Sequence, residues 1–138
     1  LWEARLDRQF VLATAAAFAT SVVLSFFSHG VLLAPQYSEL LAVYRGPQLR
    51  PGLFALLLLA QLIRAVAMVA IYRQGREAKP FLGQGFRFGL LAAGVSVIPA
   101  YLIGYVVTNI PAVLGLEQIV LETIIAVAMG IVIAWFHR

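Results

Sequence analysis

"LLLLAQLIRAVAMVAIYRQG", running from Leu56 to Gly75, is apolar enough for a bilayer yet carries Arg64 near its middle. At about 1.5 Å per residue such a segment covers roughly 30 Å as a helix, the thickness of a hydrocarbon layer. A cation at that depth costs about 2.5–3.5 kcal/mol on insertion scales. If the segment spans a membrane, Arg64 needs an acid at matching depth on another helix.

The rest of the chain has the same character. Of its 138 residues, 62% are hydrophobic and 12% charged, far from the mixed surface a soluble domain of this size requires. The apolar residues gather into four blocks, expected as spans at 10–33, 53–73, 86–109 and 112–136. Residues 1–138 therefore read as one domain, an all-α four-helix transmembrane bundle. Pro111 suits the first turn of the fourth helix, with Thr108 or Asn109 available as its cap. The chain opens at Leu1 without a methionine, so a few leading residues are expected to be absent. The first block is too long for a signal-peptide core, and no small-residue cleavage site follows it.

Basic residues set the expected orientation. Arg5, Arg8, Arg73, Arg76, Lys79, Arg87 and Arg138 fall on one side, and only Arg45 and Arg50 on the other. Both termini are thus expected in the cytoplasm, with Trp2 and Trp135 at that boundary. The net charge of +4 comes from these flanks rather than from a basic patch, so no nucleic-acid partner is expected.

The long connection after the first span contains "PQYSELLAVY". Tyr37, Leu40, Leu41 and Tyr44 recur there at helical spacing, which predicts a short interfacial helix over 35–44; an irregular loop is the alternative. A lipid or quinone site beneath it, near Tyr37 and Tyr44, is a further expectation. "TNIPAVLGLE" is tight enough to make the third and fourth spans antiparallel neighbours.

Small and polar residues separate along the helices. Ala13, Ala17, Gly85, Gly89, Ala126, Gly130 and Ala134 crowd the cytoplasmic half, the pattern of close helix contact in lipid. "GFRFG" from Gly85 to Gly89 has the spacing of a dimerising pair, although Arg87 places it at the membrane edge. His29, Tyr101, Tyr105, Gln118 and Glu122 fall in the outer half. Glu122 lies roughly 14–16 Å below the start of its span and Arg64 roughly 16 Å below the start of its own, counted at the helical rise. The two are expected to pair inside the bundle, with Gln61 and Gln118 one turn outward and Tyr101, Tyr105 and His29 completing a polar pocket. The pair either locks helix register or marks a ligand or ion pathway; the sequence leaves both open, together with a third reading in which Arg64 faces another protein's span. His29 taken alone reads as a packing residue at a helix end, and Glu117 as a solvated one.

Much chemistry is excluded. With no cysteine there are no disulfides and no thiolate sites. His29 and His137 lie at opposite depths, so one chain offers no bis-histidine haem site. No metal-ligand set, nucleophile–base pair or phosphate-cradling glycine loop is present. Neither enzymatic activity nor a cofactor is expected.

At "HGVLLAPQY", "GQGFRFGLL", "IPAYLIGYVV" and "GIVIAWFHR" the chain resembles small bacterial four-span membrane proteins of uncharacterised function. The resemblance covers nearly its full length and implies a bacterial cytoplasmic membrane; no activity or residue role comes with it. The short extramembrane segments favour an accessory or assembly subunit of a larger membrane complex, associating with lipid and with other subunits or copies of itself. The alternative is a small oligomeric transporter or channel using the pocket around Arg64 and Glu122 for an anion, proton or polar solute.

Overall fold

A computed structural model describes residues 6–45 and 50–138, so Trp2 and Arg5 lie outside the described residues. Its elements are all helical. Helix α1 spans Arg8–Phe27 and continues into a π-helical turn, Ser28–Leu32. Short α2 (Ala34–Ser38) follows, then α3 (Pro51–Gly75), α4 (Phe81–Val95), α5 (Val97–Val107) and α6 (Ala112–Phe136). Four segments are long and apolar enough to cross a membrane, namely Arg8–Leu32, Pro51–Gly75, Phe81–Val107 and Ala112–Phe136. This is the make-up of a multi-pass membrane protein.

Local chemistry places the helix ends. The Asp7 carboxylate caps α1 by accepting the Phe10 N–H at 2.8 Å, filling one of the donors a helix start leaves open. Pro51 occupies the first turn of α3, and Pro111 precedes α6, where a missing N–H costs nothing. The third span breaks once. Pro99 cannot donate to the Val95 carbonyl, and the Ser96 hydroxyl donates back to Ala92 O at 2.5 Å. The chain leaves helical geometry at Ser96 and resumes as α5.

The predicted helix over 35–44 is shorter than its apolar spacing suggests. It ends at Ser38, whose hydroxyl donates to the Pro35 carbonyl at 2.7 Å. Such local side-chain bonds compete with helix continuation. The chain then proceeds in turns, Tyr44 N donating to Leu40 O at 2.9 Å. Tyr37, Leu40 and Tyr44 still pack together, against Leu33, Ile110 and Leu114, whereas Leu41 is outside that cluster and exposed.

Helix α6 is the hub, touching α1, α3, α4 and α5. The bundle end formed by the start of α1 and the end of α6, the terminal end, is tightly filled. Ala13, Ala17, Val69, Met129, Ile133 and Ala134 are buried there to completion. Helices α4 and α6 approach backbone to backbone. A Cβ on Gly85 would lie 2.7 Å from Ile131 Cα and 2.8 Å from Gly130 O, and one on Gly89 would lie 2.7 Å from Ala126 O. The Gly85/Gly89 spacing is therefore consumed inside the chain.

Van der Waals packing and buried polar contacts, rather than water exclusion, hold helices together in lipid. The surface that remains is correspondingly oily, with Val23, Phe26, Ile63, Ile71, Leu91 and Val95 all exposed.

Candidate functional site

At the opposite end, where residues 33–45 pack onto α6, the packing opens. A cavity of about 1810 Å³ lies between α1, α3, α5 and α6 and is covered by the connection. Its apolar wall includes Phe54, Leu57 and Leu58 of α3, with Ala100 and Gly104 of α5 opposite them. A Cβ on Gly104 would meet open space. Ligand pockets typically hold about 300–1,000 Å³, so this one has room for a small molecule.

Its polar floor is a continuous hydrogen-bonded chain. Glu122 sits at the centre, with its side chain 7% exposed. One carboxylate oxygen meets Arg64 Nη1 at 3.2 Å, the other His29 Nε2 at 2.7 Å. The far side of the His29 ring meets the Tyr37 hydroxyl at 2.6 Å. Gln118 Nε2 then donates to Tyr37 at 3.2 Å and to Tyr44 at 3.1 Å. Gln61 is held by α1, accepting from the Ser21 hydroxyl and donating to Ser25 Oγ at 3.3 Å.

The π turn carries His29 into this chain. Its wide ring closes from Leu33 N to Ser28 O at 2.9 Å, and such turns insert one residue into a helix, often beside functional groups. Pro35 follows and supplies no N–H to extend α-helical bonding. The result is a histidine stacked on Tyr37, ring centroids 5.9 Å apart, while its other edge reaches α6.

Proton positions follow from the partners. The Tyr37 hydroxyl donates to His29 Nδ1, and His29 Nε2–H donates to Glu122. Burial pushes the Tyr37 phenol above its usual pKa despite the opposing Gln118 bond, which keeps it a proton donor.

Arg64, Glu122, His29 and Gln118 thus share one network. Gln61 and Tyr101 line the same cavity as His29, Gln118 and Glu122, and Arg45 of the connection is the cation of the lining, whereas Arg64 reaches the site through its contact with Glu122. Among the described residues, Arg64 Nη2 is buried without a hydrogen-bond partner. Tyr105 is placed elsewhere. It lies outside the cavity lining, 42% exposed, with its ring against Gly115. Glu117, expected to be solvated, accepts from Gln36 Nε2 at 2.5 Å. Tyr37 and Tyr44, which the sequence offered only as a separate lipid-site idea, belong to the same floor as Glu122.

Sequence reasoning also missed a second cluster, at the terminal end. Arg73 Nη2 donates to both Asp7 oxygens, at 2.7 and 2.8 Å, and Arg73 Nε donates to His137 Nε2 at 3.0 Å. His137 Nδ1–H donates to Ile133 O at 2.8 Å, and Gln9 Nε2 donates to Phe136 O at 2.8 Å. These bonds join the ends of α1, α3 and α6. Asp7 and Arg73 are opposite charges at matching ends of neighbouring spans, and that was the available signal.

No family model, curated protein or solved structure matches this chain. Among the described residues, no three His, Asp or Glu side chains gather as a metal site.

Proposed function

We propose that this chain is a non-enzymatic membrane protein that binds one amphiphilic small molecule, polar head on the Glu122 floor and apolar tail along α3 and α5. The carrying observation is the pairing of a cavity of about 1810 Å³ and largely apolar wall with the hydrogen-bonded cluster around Glu122. Pockets of this composition orient a ligand by a few convergent polar groups and hold it by apolar area. In this reading the Arg64–Glu122 pair positions the floor.

Both termini are assigned to the cytoplasm of a bacterial inner membrane. Arg8, Arg73, Arg76, Lys79, Arg87 and Arg138 share the terminal end, against Arg45 and Arg50 at the other, and cytoplasmic loops carry such an excess. Residues 33–45, with α2, then lie along the outer interface as the roof of the site. A C-terminal reporter active only in the periplasm would contradict this orientation.

The test of binding is native mass spectrometry of the protein extracted in mild detergent, with Gly104→Leu as the comparison. A side chain at position 104 meets nothing within 4 Å, so the variant narrows the cavity at α5 without a clash in the helix. Wild type should retain a bound amphiphile that the variant loses. Equal retention, or none in either, would refute the reading.

A second reading, an accessory subunit of a larger membrane complex, draws support from α5, none of whose residues is buried. Its consequence is a co-purifying partner that leaves when Val106 and Ile103 are replaced by bulkier Trp; a lone monomer in both samples counts against it.

A further inference from the structure

Unmet donors in and beneath the cavity specify the charge of the headgroup. This step rests on the binding role proposed above and adds a chemical class to it. Three formal charges bear on the site. Glu122 and Arg64 are in contact at 3.2 Å and offset one another. The third is Arg45, at the end of the roof, which lines the cavity and makes no ion pair among the described residues. Glu122 is the one acid of that lining, and Glu39 and Glu117 lie outside it. The other polar groups around it are His29, the hydroxyls of Tyr37, Tyr44 and Tyr101, and the Gln118 amide, none of which carries negative charge at neutral pH. Arg45 is therefore left without a counter-ion.

Acceptors on the floor are largely spent. The two Glu122 oxygens take Arg64 and His29, the Tyr37 oxygen accepts from Gln118, and the Gln61 carbonyl accepts from Ser21. The Gln118 carbonyl is the acceptor that the bonds of its amide nitrogen leave over. Donors are in surplus. Tyr44 accepts from Gln118, which leaves its O–H to donate. Tyr101 lines the cavity and makes no hydrogen bond among the described residues, and Arg45 brings a whole guanidinium with five N–H groups. Beneath Glu122, Arg64 Nη2 is buried with no acceptor among the described residues. Native proteins leave few buried donors in that condition, and those on charged groups cost the most.

From this balance we infer that the cavity takes an acidic amphiphile, a phosphate or carboxylate headgroup on an apolar tail, in preference to the alcohol of the same tail. The headgroup offsets Arg45 and accepts from the Tyr44 and Tyr101 hydroxyls, while the tail follows Phe54, Leu57 and Leu58. Guanidinium groups recognise both acids through paired N–H···O bonds, roughly twice as strong as neutral ones. Glu122 does not oppose this, because Arg64 already offsets its charge. An alcohol can satisfy a tyrosine but leaves Arg45 unpaired. Two sources supply the chemistry, phospholipids and free fatty acids.

The experiment measures affinities for matched pairs in neutral detergent, scaled to mole fraction in the micelle, at pH of about 8.5, where both acids are ionised. One pair is dioleoylphosphatidate against dioleoylglycerol, the other oleate against oleyl alcohol. The acid of at least one pair should bind about tenfold tighter or better, and the pair that shows the preference names the source. Alcohols binding as well or better in both pairs would overturn the headgroup assignment and leave amphiphile binding standing. No binding by any of the four would sink both.

Two variants separate the site from the general charge of that surface. Arg45 is exposed, so Arg45→Gln should fold normally, weaken the acid about tenfold and leave the alcohol unchanged. Arg50→Gln makes the same charge change at the start of α3, outside the lining, and should preserve the preference. An unchanged preference in Arg45→Gln, or an equal loss of preference in Arg50→Gln, would also overturn the assignment.

Discussion

Gly89→Ala tests the close contact of α4 and α6 on which the bundle is built. The added Cβ would lie 2.7 Å from Ala126 O, 3.0 Å from Val127 N and closer still to Val127 Cα. All three are backbone atoms, so no rotamer change relieves the clash. Restoring an ordinary contact of 3.4 Å to Ala126 O requires the helices to part by roughly 0.7 Å. A gap of about 0.5–1 Å forfeits a quarter to a half of each van der Waals well along the seam, and overpacking costs about 1–3 kcal/mol in cores generally. The same helix supplies its control. A Cβ at Gly94 meets nothing within 4 Å, so Gly94→Ala should be neutral or gain up to about 1 kcal/mol from helix propensity. Reversible unfolding in mixed micelles, followed by circular dichroism, compares the two. Equal stability of Gly89→Ala and Gly94→Ala would refute the packing described for α4.

Removing one partner of the Arg64–Glu122 pair should cost about 3–5 kcal/mol, because it leaves a buried charge unpaired, whereas Arg64→Leu with Glu122→Leu should recover much of that loss; additive single effects in the same unfolding assay would argue against the ion pair. At the terminal end, burial and the neighbouring Arg73 hold the His137 imidazole below its ordinary pKa of 6.5. The unfolded chain therefore takes up that proton first, and stability falls as pH drops from about 6.5 through the lowered value. Asp7, held below its ordinary 3.8 chiefly by the Arg73 hydrogen bond, adds a second loss in more acidic solution. The melting temperature should decline between about pH 7 and pH 5, and His137→Gln should flatten that decline; an identical slope in the variant would contradict the assignment.

Much of this architecture is visible in the amino-acid order because bilayers impose a simple rule. Every apolar block of about 20 residues must satisfy its backbone internally, and a helix is the only open-chain solution. Arg64 and Glu122 share a depth by residue count alone, so their contact could be anticipated before any coordinate. The interior angles of the site were harder. Tyr105 reads as a pocket residue because it lies one turn from Tyr101, but a step of four residues turns about 40° around a helix, and Tyr105 ends against Gly115 outside the cavity. The π turn at Ser28–Leu32 has no clear sequence signal, yet it positions His29 between Tyr37 and Glu122. Tyr37 and Tyr44 were separated from the pocket in sequence reasoning because they belong to a connection rather than a span. Only folding of that connection onto Leu114 and Ile110 brings them over Gln118.

Growth of crystals from a monoolein mesophase provides the most direct measurement, since the host lipid is itself an amphiphile, a glycerol headgroup on an acyl chain. Density for one such molecule should fill the space between α3 and α5, with its hydroxyls at Tyr44 and Gln118. A collapsed cavity with α3 touching α5, or ordered water alone around Glu122 in so concentrated a lipid, would contradict the account.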